Sequence, residues 1–199
     1  MELLFAALLG FALGSIPFGL ILTRAAGLGD VRQIGSGSIG ATNVLRTGNK
    51  GLAAATVLLD AAKAVIPILV AQAVWPDLPE VGAMAAVGAV AGHCFTPWLA
   101  FKGGKGFACA AGALLALAWP AMLACAVIWA ITLYANRISS VASMVTVVAA
   151  PLVAWALGYP EVTAPLLAIA AIVVVQHRAN IGRLMRGEEP RVGSSSSKP

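Results

Sequence analysis

Apolar segments, separated by short polar breaks, follow one another from Leu3 nearly to Gln176. A helix needs roughly 20 apolar residues to cross the hydrocarbon core of a bilayer, and somewhat shorter segments are tolerated. The fourth and fifth segments are ambiguous, because Pro120 could instead kink one long helix. With these two counted separately, the pattern predicts seven membrane-spanning helices, at residues 3–23, 52–74, 81–100, 106–118, 121–135, 140–158 and 162–176.

The distribution of charge decides between six and seven spans. With seven, one side of the membrane receives every lysine and arginine except Lys63, which lies within a span, and the other side receives only acidic charges. Six spans would separate Arg137 and the basic C-terminal segment from the other basic loops, against the rule that positive residues remain in the cytoplasm. We therefore predict about seven transmembrane helices, with the N-terminus outside and the C-terminus cytoplasmic.

Composition also indicates a membrane protein. Hydrophobic residues make up 60% and charged residues 11% of the 199 positions, whereas charged residues account for about 25% of an ordinary soluble domain. We predict an all-α integral membrane protein, with one domain at residues 1–188 and a disordered, low-complexity tail at 189–199. The net charge of +5 suits anionic lipid headgroups and phosphorylated substrates, and no feature indicates binding to nucleic acid.

Residues 34–43 form a glycine-rich and hydroxyl-rich loop between Arg32 and Arg46. Glycines can adopt backbone angles closed to other residues, so successive N–H groups can converge on a phosphate beside a helix N-terminus. The letters match G-x-G-x-x-G and nearly match a P-loop, but the strand-helix-strand context of either motif is missing. A flexible connecting loop is the alternative. We predict phosphate binding by this loop, with hydroxyl donors from Ser36, Ser38 and Thr42 and a bidentate guanidinium from Arg46.

A second polar cluster lies on the same predicted side of the membrane. Lys102 and Lys105, among three glycines, form a candidate anion-binding turn at a helix start, where the helix dipole adds to the attraction. The positive-inside rule alone would also place lysines there. His93 lies within an apolar span, so we expect it to be hydrogen-bonded to a structural partner or functional rather than lipid-facing.

Three further features complete the candidate chemistry. Asp60 and Lys63 are three residues apart in one helix and should form a structural ion pair. Ser139 or Ser140 can cap a helix start. His177 and Asn180, one turn apart, should face the same direction. Since no carboxylate pair, Cys-His pair or Ser-His-Asp arrangement suggests itself, we expect a phosphorylated substrate with a good leaving group, accelerated by positioning and electrostatics.

These motifs together resemble the bacterial acyl-phosphate:glycerol-3-phosphate acyltransferases, and the resemblance covers essentially the whole chain. It implies transfer of a fatty acyl group from acyl phosphate to the 1-hydroxyl of glycerol 3-phosphate, as the first step of bacterial phospholipid synthesis. The products would be lysophosphatidic acid and inorganic phosphate. The resemblance is carried by residues 14–19 (GSIPFG), the loop from Gly35 to Arg46, Asp60-x-x-Lys63, Gly92-His93-x-x-x-Pro97, residues 101–106 (FKGGKG) and His177-Arg178-x-Asn180-Ile181.

The resemblance also implies roles for individual residues. His93 would position the carbonyl or the glycerol hydroxyl, and the phosphate of the donor itself would accept the hydroxyl proton. The catalytic residues implied are His93, Lys105, Ser36 and Arg46, and those that bind substrate or phosphate are Gly35, Gly37, Ser38, Gly40, Thr42, Asn43, Lys102, Ser140, His177 and Asn180. The chain departs from the usual family residues at Ser38, at Ala64 and at Phe107-Ala108-Cys109, and none of these changes removes a cation.

The partners implied are acyl phosphate, glycerol 3-phosphate, membrane lipid and the enzyme that produces acyl phosphate. No metal or other cofactor is expected. The location implied is the bacterial cytoplasmic (inner) membrane, with the active site on its cytoplasmic face. Two alternatives stay open: a membrane carrier of phosphorylated metabolites, which would need a path to the outer side, and an acyltransferase that uses acyl-CoA or acyl carrier protein.

Overall fold

The computed structural model describes residues 1–193, so the end of the predicted tail, residues 194–199, lies outside the described residues. Within residues 1–193 the regular elements are helical, in agreement with the predicted all-α class. The α-helices are Glu2–Gly14 (α1), Phe18–Ala25 (α2), Ala41–Val44 (α3), Lys50–Val74 (α4), Glu80–Cys94 (α5), Phe107–Leu117 (α6), Trp119–Asn136 (α7), Ser139–Ala156 (α8), Thr163–Gln176 (α9) and Arg178–Met185 (α10).

Several of these helices are long and apolar enough to cross a membrane. Among residues 1–193 there are four such candidate spans, or five if the bent pair α9 and α10 is one broken span. The four are α1 taken together with α2 (Glu2–Ala25), α4 (Lys50–Val74), α7 (Trp119–Asn136) and α8 (Ser139–Ala156). The chain is therefore a multi-pass membrane protein, while the count of seven and the orientation remain predictions. Two separate helices, α6 and α7, meet at Ala118, and Pro120 lies in the first turn of α7.

Two predicted segments differ from the observed helices. The segment 3–23 is divided after Gly14, and Pro17 precedes α2, because a proline cannot donate the backbone hydrogen bond that a continuous helix requires. The segment 81–100 is helical only to Cys94, after which a short 3₁₀ turn, Pro97–Leu99, follows. Residues 15–17 and 95–100 are therefore not α-helical, although both stretches were predicted to lie within membrane spans.

Close backbone contact joins α1 and α5. A β-carbon added to Gly10 would lie 2.1 Å from Ala85 O, and one added to Gly14 would lie 2.1 Å from Ala89 O. Helices in a membrane associate through close packing of small residues, since lipid tails are as apolar as leucine. The glycines therefore determine how closely α1 approaches the helix that carries His93.

The break between α1 and α2 is held by side chains from distant parts of the chain. Thr96 Oγ1 donates to Ser15 O at 2.6 Å, and Lys63 Nζ donates to Ile16 O at 2.7 Å. In a membrane, a broken helix is tolerated where other groups satisfy the freed carbonyls. These bonds join the break between α1 and α2 to α4 and to the segment after α5.

Candidate functional site

A pocket of about 150 Å³ lies where three of the predicted polar clusters meet. It combines two cationic side chains, two hydroxyls and glycine backbone, and its lining contains no acidic residue. Charge-assisted hydrogen bonds make such a lining suited to phosphate. The lining residues are Ser36, Gly37, Ser38, Gly103, Gly104, Lys105, Gln176, Arg178 and Ala179.

Asn43 organises the loop that forms one side of this pocket. Its Nδ2 donates to Val31 O at 2.7 Å, to Ser38 O at 2.8 Å and to Ile34 O at 3.1 Å. Its Oδ1 accepts a hydrogen bond from Ser36 N at 3.0 Å. Asn43 is only 2% exposed, and its amide is already engaged by the loop. Asn43 therefore supports the loop, and a direct contact of its side chain with phosphate stays a prediction.

The sequence predicts that successive N–H groups of this loop converge on one phosphate. In the structure they do not all do so. Ser36 N is taken by Asn43, Gly37 N donates to Ile34 O at 3.0 Å, and Gly40 N donates to Ser38 Oγ at 3.2 Å. These bonds close the loop on itself, so three of its donors are used internally. The hydroxyl of Ser36 and the side of the loop at Gly37 and Ser38 are what border the pocket.

Arg46 and Gly35 lie against each other behind this loop. Gly35 has a φ of +54°, and a β-carbon on it would lie 2.1 Å from Arg46 Nη1. Nη1 donates to Asn43 Oδ1 at 3.4 Å, and the residue is otherwise exposed. Thr42, in α3, is exposed and lies outside the pocket lining. The hydrogen bond from Arg46 to Asn43 thus ties the guanidinium group to this loop.

The loop at residues 101–106, which contains Lys102 and Lys105 and is called the lysine loop below, is attached to the end of α5. Gly103 N donates to Cys94 O at 3.1 Å, and Gly104 N donates to His93 O at 3.0 Å. These bonds satisfy carbonyls that a helix C-terminus leaves open. They also bring the backbone so close that a β-carbon on Gly104 would lie 2.0 Å from His93 Nε2. The attachment places Lys105 in the pocket wall, whereas Lys102 is exposed and lies outside the lining.

The ammonium group of Lys105 has a pKa lowered to about 8. Partial burial disfavours the charged form most strongly, and the neighbouring Arg183 and Arg46 lower the pKa further, while the carboxylate of Glu189 raises it. Lys105 is therefore close to half-protonated near the upper end of the physiological pH range. A phosphate dianion in the pocket would favour its charged form.

Behind Gly104, three polar side chains lie buried within the helices. Lys63 Nζ is 2.8 Å from Asp60 Oδ1, so the predicted ion pair is present, and both side chains are 2% exposed. His93 Nδ1 is 3.6 Å from the same oxygen, beyond hydrogen-bond distance. His93, 3% exposed, is not among the residues that line the pocket. The structure thus places His93 behind Gly104, and its contact with substrate stays a prediction.

Three residues, from α8 and α10, meet around the carboxylate of Glu189. Ser140 Oγ and Asn180 Nδ2 both donate to Oε1, the former at 2.6 Å, and Arg183 Nε donates to Oε2 at 2.7 Å. The Glu189 side chain is 6% exposed. The carboxylate of Glu189, the first residue of the predicted tail, is thus buried and paired, and the boundary at 189 stays a prediction. The hydroxyl of Ser140, a residue predicted to bind phosphate, donates its proton to this carboxylate.

His177 and Asn180 lie close together at the turn between α9 and α10, and each is 3% exposed. His177 Nδ1 donates to Val173 O at 2.7 Å, since a carbonyl oxygen can only accept. Its ring is therefore held by the preceding turn, and its Nε2 is the nitrogen left for a further contact. Whether it binds substrate stays a prediction.

Four residues of this region were not predicted as site residues from the sequence: Gln176, Arg178, Arg183 and Glu189. Arg178 and Gln176 border the pocket, and neither was among the predicted site residues. Arg183 lies three residues after Asn180 on the same helical face, a spacing that could have indicated a shared partner. Glu189 carried no such signal, because it stands in a polar segment that leads into a serine-rich end.

The chain is similar to known proteins over nearly its whole length. The family model for glycerol-3-phosphate acyltransferase matches residues 4–187. The glycerol-3-phosphate acyltransferase of Erythrobacter litoralis is 58% identical over 189 residues, which cover 95% of this chain and 94% of that protein. The protein of the same name from Mesorhizobium japonicum is 51% identical over 192 residues, covering 96% and 97%.

Two solved structures of PlsY, an integral membrane glycerol 3-phosphate acyltransferase, are also similar. The glycerol 3-phosphate form superposes with a TM-score of 0.89 at 34% identity, and the lysophosphatidic acid form with 0.88 at 33%. Each match covers 97% of this chain and 96% of the other. Sequence and fold agree over nearly the full length, and the chain belongs to the glycerol-3-phosphate acyltransferase family.

Proposed function

We propose that this chain transfers a fatty acyl group from acyl phosphate to the 1-hydroxyl of glycerol 3-phosphate, releasing lysophosphatidic acid and inorganic phosphate. Family membership supports glycerol 3-phosphate as the acceptor, and the names of the similar structures mention this acceptor and lysophosphatidic acid. The observation that carries the proposal is the pocket of about 150 Å³, which holds Lys105 and Arg178 among hydroxyls and glycine backbone. The same lining would suit the phosphate of the donor and that of the acceptor.

Binding would be mainly electrostatic. Lys105 and Arg178 border the pocket, and Arg46 is near enough to Lys105 to lower its pKa. A phosphate that enters would reduce the repulsion among these cations while it gains charge-assisted hydrogen bonds. Held between the loop at 36–38 and the loop at 103–105, it would bring the reacting groups together, and such positioning alone can lower the barrier substantially.

The reaction balances without a base from the protein. The 1-hydroxyl oxygen attacks the acyl carbonyl carbon, the bond between that carbon and the phosphate oxygen breaks, and the hydroxyl proton passes to the departing phosphate. The cations stabilise negative charge as it develops on the phosphate. In this scheme His93 acts through the glycine loop that it supports, which agrees with its position behind Gly104. Phosphate binding by the predicted residues of the two loops remains part of the proposal.

The membrane orientation is also proposed. The polar loops gather at one end of the bundle and hold nearly all of the positive charge, which by the positive-inside rule faces the cytoplasm. A cytoplasmic active site in the inner membrane would meet a water-soluble acceptor and a membrane-bound donor at the same interface. Membrane lipid and the enzyme that makes acyl phosphate would then be its neighbours.

The test is a reaction with defined substrates. The purified chain in detergent is incubated with acyl phosphate and glycerol 3-phosphate, and inorganic phosphate and lysophosphatidic acid are quantified together. We expect one phosphate for each lysophosphatidic acid formed. Parallel reactions with acyl-CoA and acyl carrier protein identify a thioester donor if that is the true one. A chain that forms no lysophosphatidic acid from any donor would contradict the proposal and favour a carrier, which reconstituted vesicles loaded with a phosphorylated metabolite would reveal.

A further inference from the structure

We propose that Glu189 is a positioning residue of the anion site: its carboxylate draws Ser140, Asn180 and Arg183 together and fixes the orientation of the Asn180 amide. This inference rests on the proposed function, in which Lys105 binds a substrate phosphate. It gives a role in the site to a residue outside the motifs that carry the family resemblance.

The first support is geometric. The carboxylate receives hydrogen bonds from the first turn of α8, through Ser140, and from two positions on α10. A second attachment follows three residues later, where Val192 N donates to Arg137 O just before α8. The segment after α10 is thereby fastened across the start of α8. The Glu189 carboxylate is thus the common acceptor of these three donors.

The second support is the orientation that Glu189 imposes on Asn180. Because Nδ2 donates to the carboxylate, the amide cannot turn freely. Its Oδ1 is buried and has no hydrogen-bond partner among residues 1–193. Buried acceptors are normally paired, so an unpaired one beside an anion site is available to a hydroxyl donor. A hydroxyl of glycerol 3-phosphate fits this requirement, because it would donate to Asn180 Oδ1 while the phosphate of the same molecule binds the neighbouring cations.

The third support is electrostatic. The charged or titratable groups that act on Lys105 are Glu189, Arg183 and Arg46, and Lys105 and Glu189 both act on His177. Burial opposes the charge on Glu189, but hydrogen bonds from Ser140, Asn180 and Arg183 outweigh it and keep the pKa of the carboxyl below its usual range. The carboxylate is thus ionised at neutral pH. It raises the pKa of Lys105, whereas the two arginines lower it.

The opposite role would be competition. A carboxylate near an anion site repels phosphate and occupies donors that phosphate could use, so its removal would then strengthen binding. Positioning predicts weaker binding. The sign of the change in affinity therefore separates the two roles, and the pH dependence separates the geometric from the electrostatic part.

The experiment measures glycerol 3-phosphate binding to the full chain in detergent by calorimetry, from about pH 6.5 to 9, without acyl donor. Glu189→Gln keeps the size but removes the charge, and we expect about tenfold weaker binding and an alkaline loss of affinity that begins at lower pH than in the wild type. Glu189→Asp keeps the charge but shortens the side chain, and we expect weaker binding with the alkaline limb unmoved. Glu188→Gln is the matched control, because Glu188 is 56% exposed and pairs with Arg186, and it should bind as the wild type does.

Unchanged or tighter binding by Glu189→Gln would overturn the inference. If thermal melting shows that this variant does not fold, the Asp variant is interpreted by itself. If neither folds, Arg183→Lys, which keeps the charge but loses the Nε hydrogen bond, replaces them; wild-type affinity in the variant used would again be contrary. A wild-type chain that binds no glycerol 3-phosphate would instead contradict the proposed function, so the two failures are distinct.

Discussion

Lys105 should make glycerol 3-phosphate binding weaken at alkaline pH. Its pKa of about 8 means that it is about nine-tenths protonated at pH 7 and about one-tenth protonated at pH 9. If only the ammonium form binds phosphate, the apparent Kd rises about tenfold over this interval. The phosphate group of glycerol 3-phosphate has a second pKa of about 6, so it is mainly a dianion at both pH values and contributes little to the change.

The measurement is a calorimetric titration at fixed ionic strength, because salt screens charge interactions. Lys105→Arg is the matched variant, since arginine stays protonated throughout this range. We expect it to bind with a nearly constant Kd from pH 7 to pH 9, even if its different shape weakens binding overall. A wild-type Kd that is the same at both pH values, or a Lys105→Arg variant with the wild-type slope, would refute the assignment of phosphate binding to this ammonium group.

Three further perturbations follow from the contacts. Gly104→Ala would place a β-carbon 2.0 Å from the imidazole behind it, so we expect lower thermal stability and weaker glycerol 3-phosphate binding; Gly182→Ala, whose nearest atom would be 3.5 Å away at the end of a flexible arginine, is the control, and equal effects of both would be contrary. Asn43→Ala removes bonds worth about 1 kcal/mol each, and we expect faster proteolysis of the loop and lower turnover while circular dichroism still reports intact helices; an unchanged cleavage rate would show that Asn43 does not hold the loop. Asp60→Ala leaves the buried Lys63 ammonium without its carboxylate partner and should cost about 3–5 kcal/mol of stability, partly restored by adding Lys63→Met. If the double variant unfolds as readily as the single one, the ion pair is not the reason for the loss.

The helices were largely predictable because the bilayer imposes a simple rule on the chain. Backbone groups in hydrocarbon must be hydrogen-bonded within the segment, so long apolar runs become helices. The Asp60–Lys63 contact was predictable for a related reason, since positions three apart on a helix lie side by side. The division of the first segment had a local signal in Pro17, yet a sliding count of apolar residues passes over a single proline.

The roles of the polar residues depended on partners far away in sequence. The letters around Asn43 suit phosphate, but its amide is saturated by carbonyls brought near by the fold of the loop. His93 lies behind Gly104 because the lysine loop returns to cap α5. Ser140 meets a carboxylate 49 residues later in the chain. A residue type states what a side chain can donate or accept, and only the folded chain decides which group receives it.

The sequence by itself determined the membrane class, most of the helical segments and the collection of cations and glycines that predicts a phosphate site, because these depend on composition and short-range spacing. The tertiary structure decided which of those residues border the pocket, which support it from behind, and that Glu189 belongs to its surroundings. The physical reason is that hydrogen bonds and charge interactions act over a few ångströms in space. Their partners come together only when helices separated by tens of residues pack against one another.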